Sequence, residues 1–158
     1  MSEEFNITIT FKSEDDEVIS FLKSFDEAFN ETSHDKMEGI LASSPVDLNT
    51  DEVKKLVPKK FKKSLGYALA ETALECEPNL FAGQNYELSK LKKNNKEKFV
   101  ISADGMDYDG QLFCKYLVTL IFCLQVQDLT AEASGEGWEA NWILKNGKLS
   151  MKKEEFEV

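Results

Sequence analysis

The chain has 158 residues, a formal net charge of −10 and 42% apolar residues, eleven of them phenylalanine. That length suits one domain with a sizeable core, and the apolar content argues against disorder. All 19 basic residues are lysines. Without arginine the usual bidentate grip on phosphate or guanine is missing, and the negative charge repels a nucleic-acid backbone, so nucleic acid is excluded as a partner class.

Phe5, Ile7, Ile9 and Phe11 alternate with Asn6, Thr8, Thr10 and Lys12, the period-two pattern of a strand with one apolar face. Ser13 followed by Glu14, Asp15, Asp16 and Glu17 reads as a helix N-cap with an acidic first turn. Val18, Ile19, Phe21, Leu22, Phe25 and Phe29 follow at helical spacing, which carries this helix to about Asn30. A polar link with Ser33 and His34 precedes a short helical piece, Met37 to Ala42, ended by Ser43, Ser44 and Pro45.

Asn49 or Thr50 caps the next element, with Asp51 and Glu52 in its first turn, and Pro58 breaks or restarts it. From Phe61 the apolar side reads Phe61, Leu65, Ala68, Leu69, Thr72 and Cys76, a helix to about Glu77 that Pro78 and Asn79 stop. Tyr86 to Lys92 and Lys98 to Ala103 read as two strands joined near Asn94 and Asn95. Ala103, Asp104 and Gly105 then turn the chain toward the longest apolar run, Asp107 to Asp128.

In that run Gln111, Lys115 and Thr119 recur every four residues, and Gln125 lands near the same face at 100° per residue. Leu112, Phe113, Tyr116, Leu117, Leu120, Ile121 and Leu124 cover most of the remaining circumference. The even positions from Leu112 to Val126 also fit a strand, but the length favours a helix capped by Asp107 or Asp109. Beyond it, Leu129, Ala131 and Ala133 alternate with polar residues, and Trp138, Ala140, Trp142 and Leu144 alternate next. Gly135 and Gly137 between these two strands suggest a bulge or a tight turn. Asn146-Gly147 signals a type I′ hairpin, with Leu149 and Met151 on the returning strand and the tail KKEEFEV expected to fray.

The order of elements predicts a single domain over residues 1–158 of the α+β class. It comprises a mainly antiparallel sheet with helices packed on one face and one mostly buried helix near 110–127. Three widely spaced cysteines, Cys76, Cys114 and Cys123, lie in apolar stretches and read as buried thiols in a reducing compartment. The acidic N-terminus lacks the basic and apolar regions of a signal peptide, and the uncharged run from Tyr116 to Val126 is too short to cross a bilayer. A cytoplasmic protein without membrane contact is the expectation.

Asp104, Asp107 and Asp109 form the densest acidic cluster beside a structured element. An EF-hand register with Gly110 at the sixth position fails, because Gly105 falls at position one and Tyr116 at position twelve. A helix cap and turn explain these residues; a small metal-dependent hydrolase using the three carboxylates is the alternative. His34 is the sole histidine, set in a polar link, and no nucleophile elbow, phosphate loop or conventional zinc set exists. Support for an enzyme is slight, and no cofactor is implied.

Charge is unevenly spread. Residues 1–52 hold fourteen acids against three lysines, whereas residues 53–65 hold six lysines and no acid. On a helix after Pro58 those lysines would lie opposite Phe61 and Leu65, as a solvated basic face. The acidic half is suited to a basic protein partner through Glu14, Asp15, Asp16, Glu17, Asp26 and Glu27. Trp138 and Trp142 share one strand face, as core or, if the helices leave that face uncovered, as interface anchors. The function expected is a small acidic protein-binding module, such as an inhibitor, immunity-type or adaptor protein. A structural homodimer is a further alternative.

Overall fold

In a computed structural model the chain is described over residues 4–29, 34–76, 98–107 and 110–156. The elements run β1 (Glu4–Lys12), α1 (Asp16–Phe29), α2 (His34–Ala42), α3 (Asp51–Lys55), a 3-10 turn (Lys59–Phe61), α4 (Leu65–Cys76), β2 (Lys98–Met106), α5 (Gly110–Cys123), β3 (Gln127–Gly135), β4 (Trp138–Lys145) and β5 (Lys148–Glu155). The strands form one antiparallel sheet in the order β2-β1-β3-β4-β5, so the class is α+β.

Alternation fixes what each face does. Phe5, Ile7, Ile9 and Phe11 of β1 are buried, as are Phe99, Ile101 and Ala103 of β2 and Leu129, Ala131 and Ala133 of β3. Trp138, Ala140 and Trp142 extend that face across β4. The helices cover this side. Phe113 of α5 meets Phe5 edge-on at 5.9 Å, and Tyr116 meets Phe61 edge-on at 5.6 Å, which ties α5 to the sheet below and to the 3-10 turn above. Nine of the fourteen residues of α5 are buried, as its near-continuous apolar circumference requires.

Thr119 departs from the polar arc expected for α5. It is only 8% exposed, and its hydroxyl donates to the Lys115 carbonyl at 2.7 Å, so the helix backbone satisfies it locally. At the start of α1 the cap is Asp15, whose Oδ1 accepts from Glu17 N at 2.9 Å. Ser13 instead sets the preceding turn by accepting from Asp15 N at 3.2 Å. Thr50 caps α3, its Oγ1 accepting from Val53 N at 3.3 Å.

Three expectations are corrected. The lysines after Pro58 lie on a 3-10 turn and on two left-handed residues, Lys62 (φ 56°) and Lys63 (φ 51°), and α4 begins only at Leu65 with Ser64 Oγ accepting from Tyr67 N. Phe61 and Leu65 are spaced as on a helix because both reach the same core, by different backbone routes. Asp104 and Gly105 belong to β2, held by pairing with Asn6 and Phe5, and the strand ends at Met106. The tail does not fray at Lys152: β5 runs to Glu155 because β4 pairs with it through Trp138↔Glu155. The Asn146-Gly147 turn is as expected, with φ of 54° and 76° between the paired Lys145 and Lys148. The strand expected over Tyr86–Lys92 lies outside the described residues.

Candidate functional site: an apolar groove with an acidic rim

At the end of the sheet where β3 and β5 begin, three segments far apart in sequence enclose a groove of about 510 Å³. The stretch from Val46 to Leu56 forms one wall, the C-terminal end of α5 the floor, and the β4–β5 hairpin the other wall. Val46, Val53, Leu56, Phe122, Val126 and Leu144 supply its apolar lining, and Leu56 is 43% exposed. Such a volume is in the range that takes one or two large side chains or a small ligand.

The rim carries Asp47, Thr50, Glu52 and Gln125, and both carboxylates are exposed. Asp47 owes its position to an Asx turn, its Oδ1 accepting from Asn49 N at 2.8 Å, and Glu52 lies in the first turn of α3 behind the Thr50 cap. Gln125 has φ 60°, a left-handed residue that ends α5 and turns the chain into β3.

Cys123 also lines the groove as a free, half-buried thiol, and burial pushes it up to about 11. Held protonated by burial, it is a weak nucleophile near neutral pH.

The same loop joins the groove to the acidic start of α1. Asp16, Glu17, Ser20 and Phe21 border a shallower depression whose other wall is Ser43 and Pro45, one residue before Val46. Glu14, Asp15, Asp16 and Glu17 are all exposed. Four of the residues expected to face a partner are therefore on the surface, and two of them, Asp16 and Glu17, border the depression beside the groove's loop. Asp26 and Glu27 fall within α1, but their side chains are outside the described residues, as is that of His34.

The tryptophans are placed elsewhere. Trp138 and Trp142 are 4% and 5% exposed on the covered face of the sheet. The shared face read from their spacing is there, and the helices cover it, so both indoles are core. Trp138 Nε1 donates to Asp107 Oδ2 at 2.8 Å, and Glu136 N donates to the same oxygen at 3.0 Å.

That pair of bonds gives Asp107 a structural task. It joins the link between β2 and α5 to the β3–β4 turn, two elements that no sheet hydrogen bond connects. The site is closely packed: a Cβ on Gly110 would lie 2.7 Å from Asp107 Oδ1 and from the Phe5 ring, and one on Gly135 would collide with Trp138 Nε1 and Asp107 Oδ2. Asp104 alternates onto the uncovered face opposite Asn6, so it does not converge with Asp107, and Asp109 lies outside the described residues. Among the described residues no group of three or more His, Cys, Asp or Glu side chains is arranged to hold a metal. No described helix is long and apolar enough to cross a membrane.

The groove is what sequence reasoning missed. Only Leu56, an exposed large apolar residue that caps the end of a five-residue helix rich in charge, hinted at it. Comparison of the chain with family models, with curated proteins and with solved structures finds no match.

Proposed function

We propose that this protein is a small binding module that captures a basic, amphipathic segment of another protein, as an inhibitor, immunity-type or adaptor protein does. One observation carries the reading: an apolar groove opens beside exposed carboxylates, Asp47 and Glu52 on its rim and Asp16 and Glu17 one loop away. An apolar side chain of the partner enters between Leu56, Phe122 and Leu144, and lysines or arginines flanking it meet the rim. Apolar burial supplies most of the affinity, and the acids supply orientation and a faster encounter.

The test is titration by fluorescence anisotropy of labelled Leu/Lys amphipathic peptides, together with their Leu/Glu counterparts, against wild type and two variants. Leu56→Asp spoils the groove while making the protein more acidic. Asp47→Lys with Glu52→Lys reverses the rim and leaves the groove intact. Binding of the basic peptide alone, lost in Leu56→Asp and weakened when the rim is reversed, supports the reading. Binding that survives Leu56→Asp is charge attraction without a site and rules the groove out.

A further inference from the structure

The side of the sheet away from the helices carries a charge pattern that the groove does not use. Side chains on this uncovered face fall into rows set by strand register. One row runs Asp104, Asn6, Ser134, Glu139, Glu154 across all five strands. The next runs Ser102, Thr8, Glu132, Asn141, Lys152, and the third Val100, Thr10, Thr130, Ile143, Ser150. The fourth brings Lys145 opposite Lys148 on β4 and β5 and includes Lys12 on β1.

The face is therefore polarised along β4 and β5, acidic at Glu139 and Glu154 and basic at Lys145 and Lys148, while Lys12 at the basic end is paired with Asp128 at 3.4 Å. The rows between are mainly hydroxyls and amides, with exposed Ile143 among them; Glu132 and Lys152 balance each other in the second row.

Two features of this pattern are unfavourable in an isolated chain. Glu139 stands directly opposite Glu154, and Lys145 directly opposite Lys148. Like charges directly opposed across strands destabilise a sheet, and here all four side chains are exposed. A second copy of the chain carries the opposite charges that would relieve both conflicts.

We propose that two copies pack with these uncovered faces together, related by a two-fold axis that lies between the sheets and crosses the strands midway between the second and third rows. That operation keeps each strand over its own counterpart and exchanges the ends. Glu139 and Glu154 of one copy then face Lys145 and Lys148 of the other, and by symmetry the reverse, as an isologous interface requires.

Thr8 meets Thr10, and Asn141 meets Ile143, at the centre of the face. Five strands about 4.8 Å apart and roughly 27 Å long give a face on the order of 650 Å², near the lower end of a standard interface for each partner. With few apolar groups at its centre, the dimer is weak and salt-sensitive, forming in the high-micromolar range. The face is separate from the groove, so this assembly stands or falls independently of the function proposed above.

Sedimentation equilibrium on the full chain from 10 µM to about 500 µM, at low and high salt, tests it. The mass should climb from the 17.9 kDa of one chain toward twice that value, and return toward monomer in high salt. Glu139→Lys with Glu154→Lys makes both cross-strand charge pairs of the β4–β5 hairpin basic, and Lys145→Glu with Lys148→Glu makes both acidic. Each variant alone should be monomeric throughout, and an equimolar mixture should form a heterodimer tighter than the wild-type dimer by at least tenfold. That recovery also guards against loss of fold, since two misfolded chains would not restore each other. A wild type that stays monomeric at the highest concentration, a dimer indifferent to either variant, or a mixture that remains monomeric each overturns the proposal.

Discussion

Removing the Asp107 carboxylate is the most direct perturbation of how this fold is held together. In Asp107→Ala, Trp138 Nε1 and Glu136 N lose the oxygen they share at 2.8 and 3.0 Å. Hydrogen bonds to a charged acceptor contribute about 1.5–3 kcal/mol each, and a buried donor left unsatisfied costs about 1–3 kcal/mol. The indole is 4% exposed and water reaches it poorly, whereas the Glu136 amide is half-buried and partly rehydrates. Taking the lower half of each range, Asp107→Ala should destabilise by about 3 kcal/mol. Asp107→Asn keeps a carbonyl acceptor in place and should lose only about 1 kcal/mol. Urea denaturation followed by tryptophan fluorescence reads both changes. With a slope of about 2 kcal/mol/M for a chain of this size, the midpoint should fall by roughly 1.5 M and 0.5 M respectively. A loss below about 1 kcal/mol for Asp107→Ala, or equal losses for the two variants, would refute the clamp. Gly135→Ala, whose new methyl would collide with both partners, should act in the same direction.

Three other outcomes are expected. Divalent magnesium, calcium, manganese or zinc at millimolar concentration should leave the melting temperature within about 1 °C in a thermal-shift assay, since Asp107 Oδ2 already accepts two hydrogen bonds; a larger rise would restore the carboxylate cluster as a cation site. Alkylation of Cys123 at pH 8, followed by peptide mapping, should be about a hundredfold slower than for an ordinary thiol and should accelerate with a midpoint near pH 11. Burial keeps this thiol protonated, so the thiolate appears only as the pH rises through that value, and a bound groove peptide should slow the reaction further. Lys63→Gly should stabilise by about 0.5–1 kcal/mol in the urea assay by relieving its left-handed φ of 51°. Lys62→Gly should come out near zero, because it also gives up the ammonium held 4.7 Å from the Tyr67 ring.

What could be read from the sequence was whatever one segment settles by itself. The alternation of β1, the apolar circumference of α5, the Thr50 cap and the Asn146-Gly147 turn each depend on residues within a dozen positions of one another. The strand order does not. β1 lies between β2 and β3, which are separated from it by more than 80 residues of chain, and nothing local in Glu4–Lys12 states which strands will flank it. The groove is illegible for the same reason, being assembled from the 46–56 stretch, the end of α5 and a hairpin. The lysine-rich segment misled in a different way. Core contacts at Phe61 and Leu65 imitate a helical period, but the left-handed residues between them leave no mark in a chain without glycine there.

The paired like charges on the uncovered face are an instructive intermediate case. A two-residue turn at Asn146-Gly147 places Lys145 opposite Lys148, and antiparallel pairing then carries Glu139 opposite Glu154 by counting outward from the turn. The conflict was thus available from the turn alone. It was hidden by judging the tail on hydrophilicity, as though a charged segment must leave the sheet. An edge strand is where charge is tolerated, and lysines and glutamates there discourage indiscriminate edge pairing. Because β4 pairs with β5 along its full length, hydrophilicity did not decide the strand's end; the register did. Once that register is accepted, a pair of carboxylates at one end of β4 and β5 and a pair of ammonium groups at the other follow from hairpin arithmetic, and it is on these two pairs that the proposed inverted pairing of two copies rests.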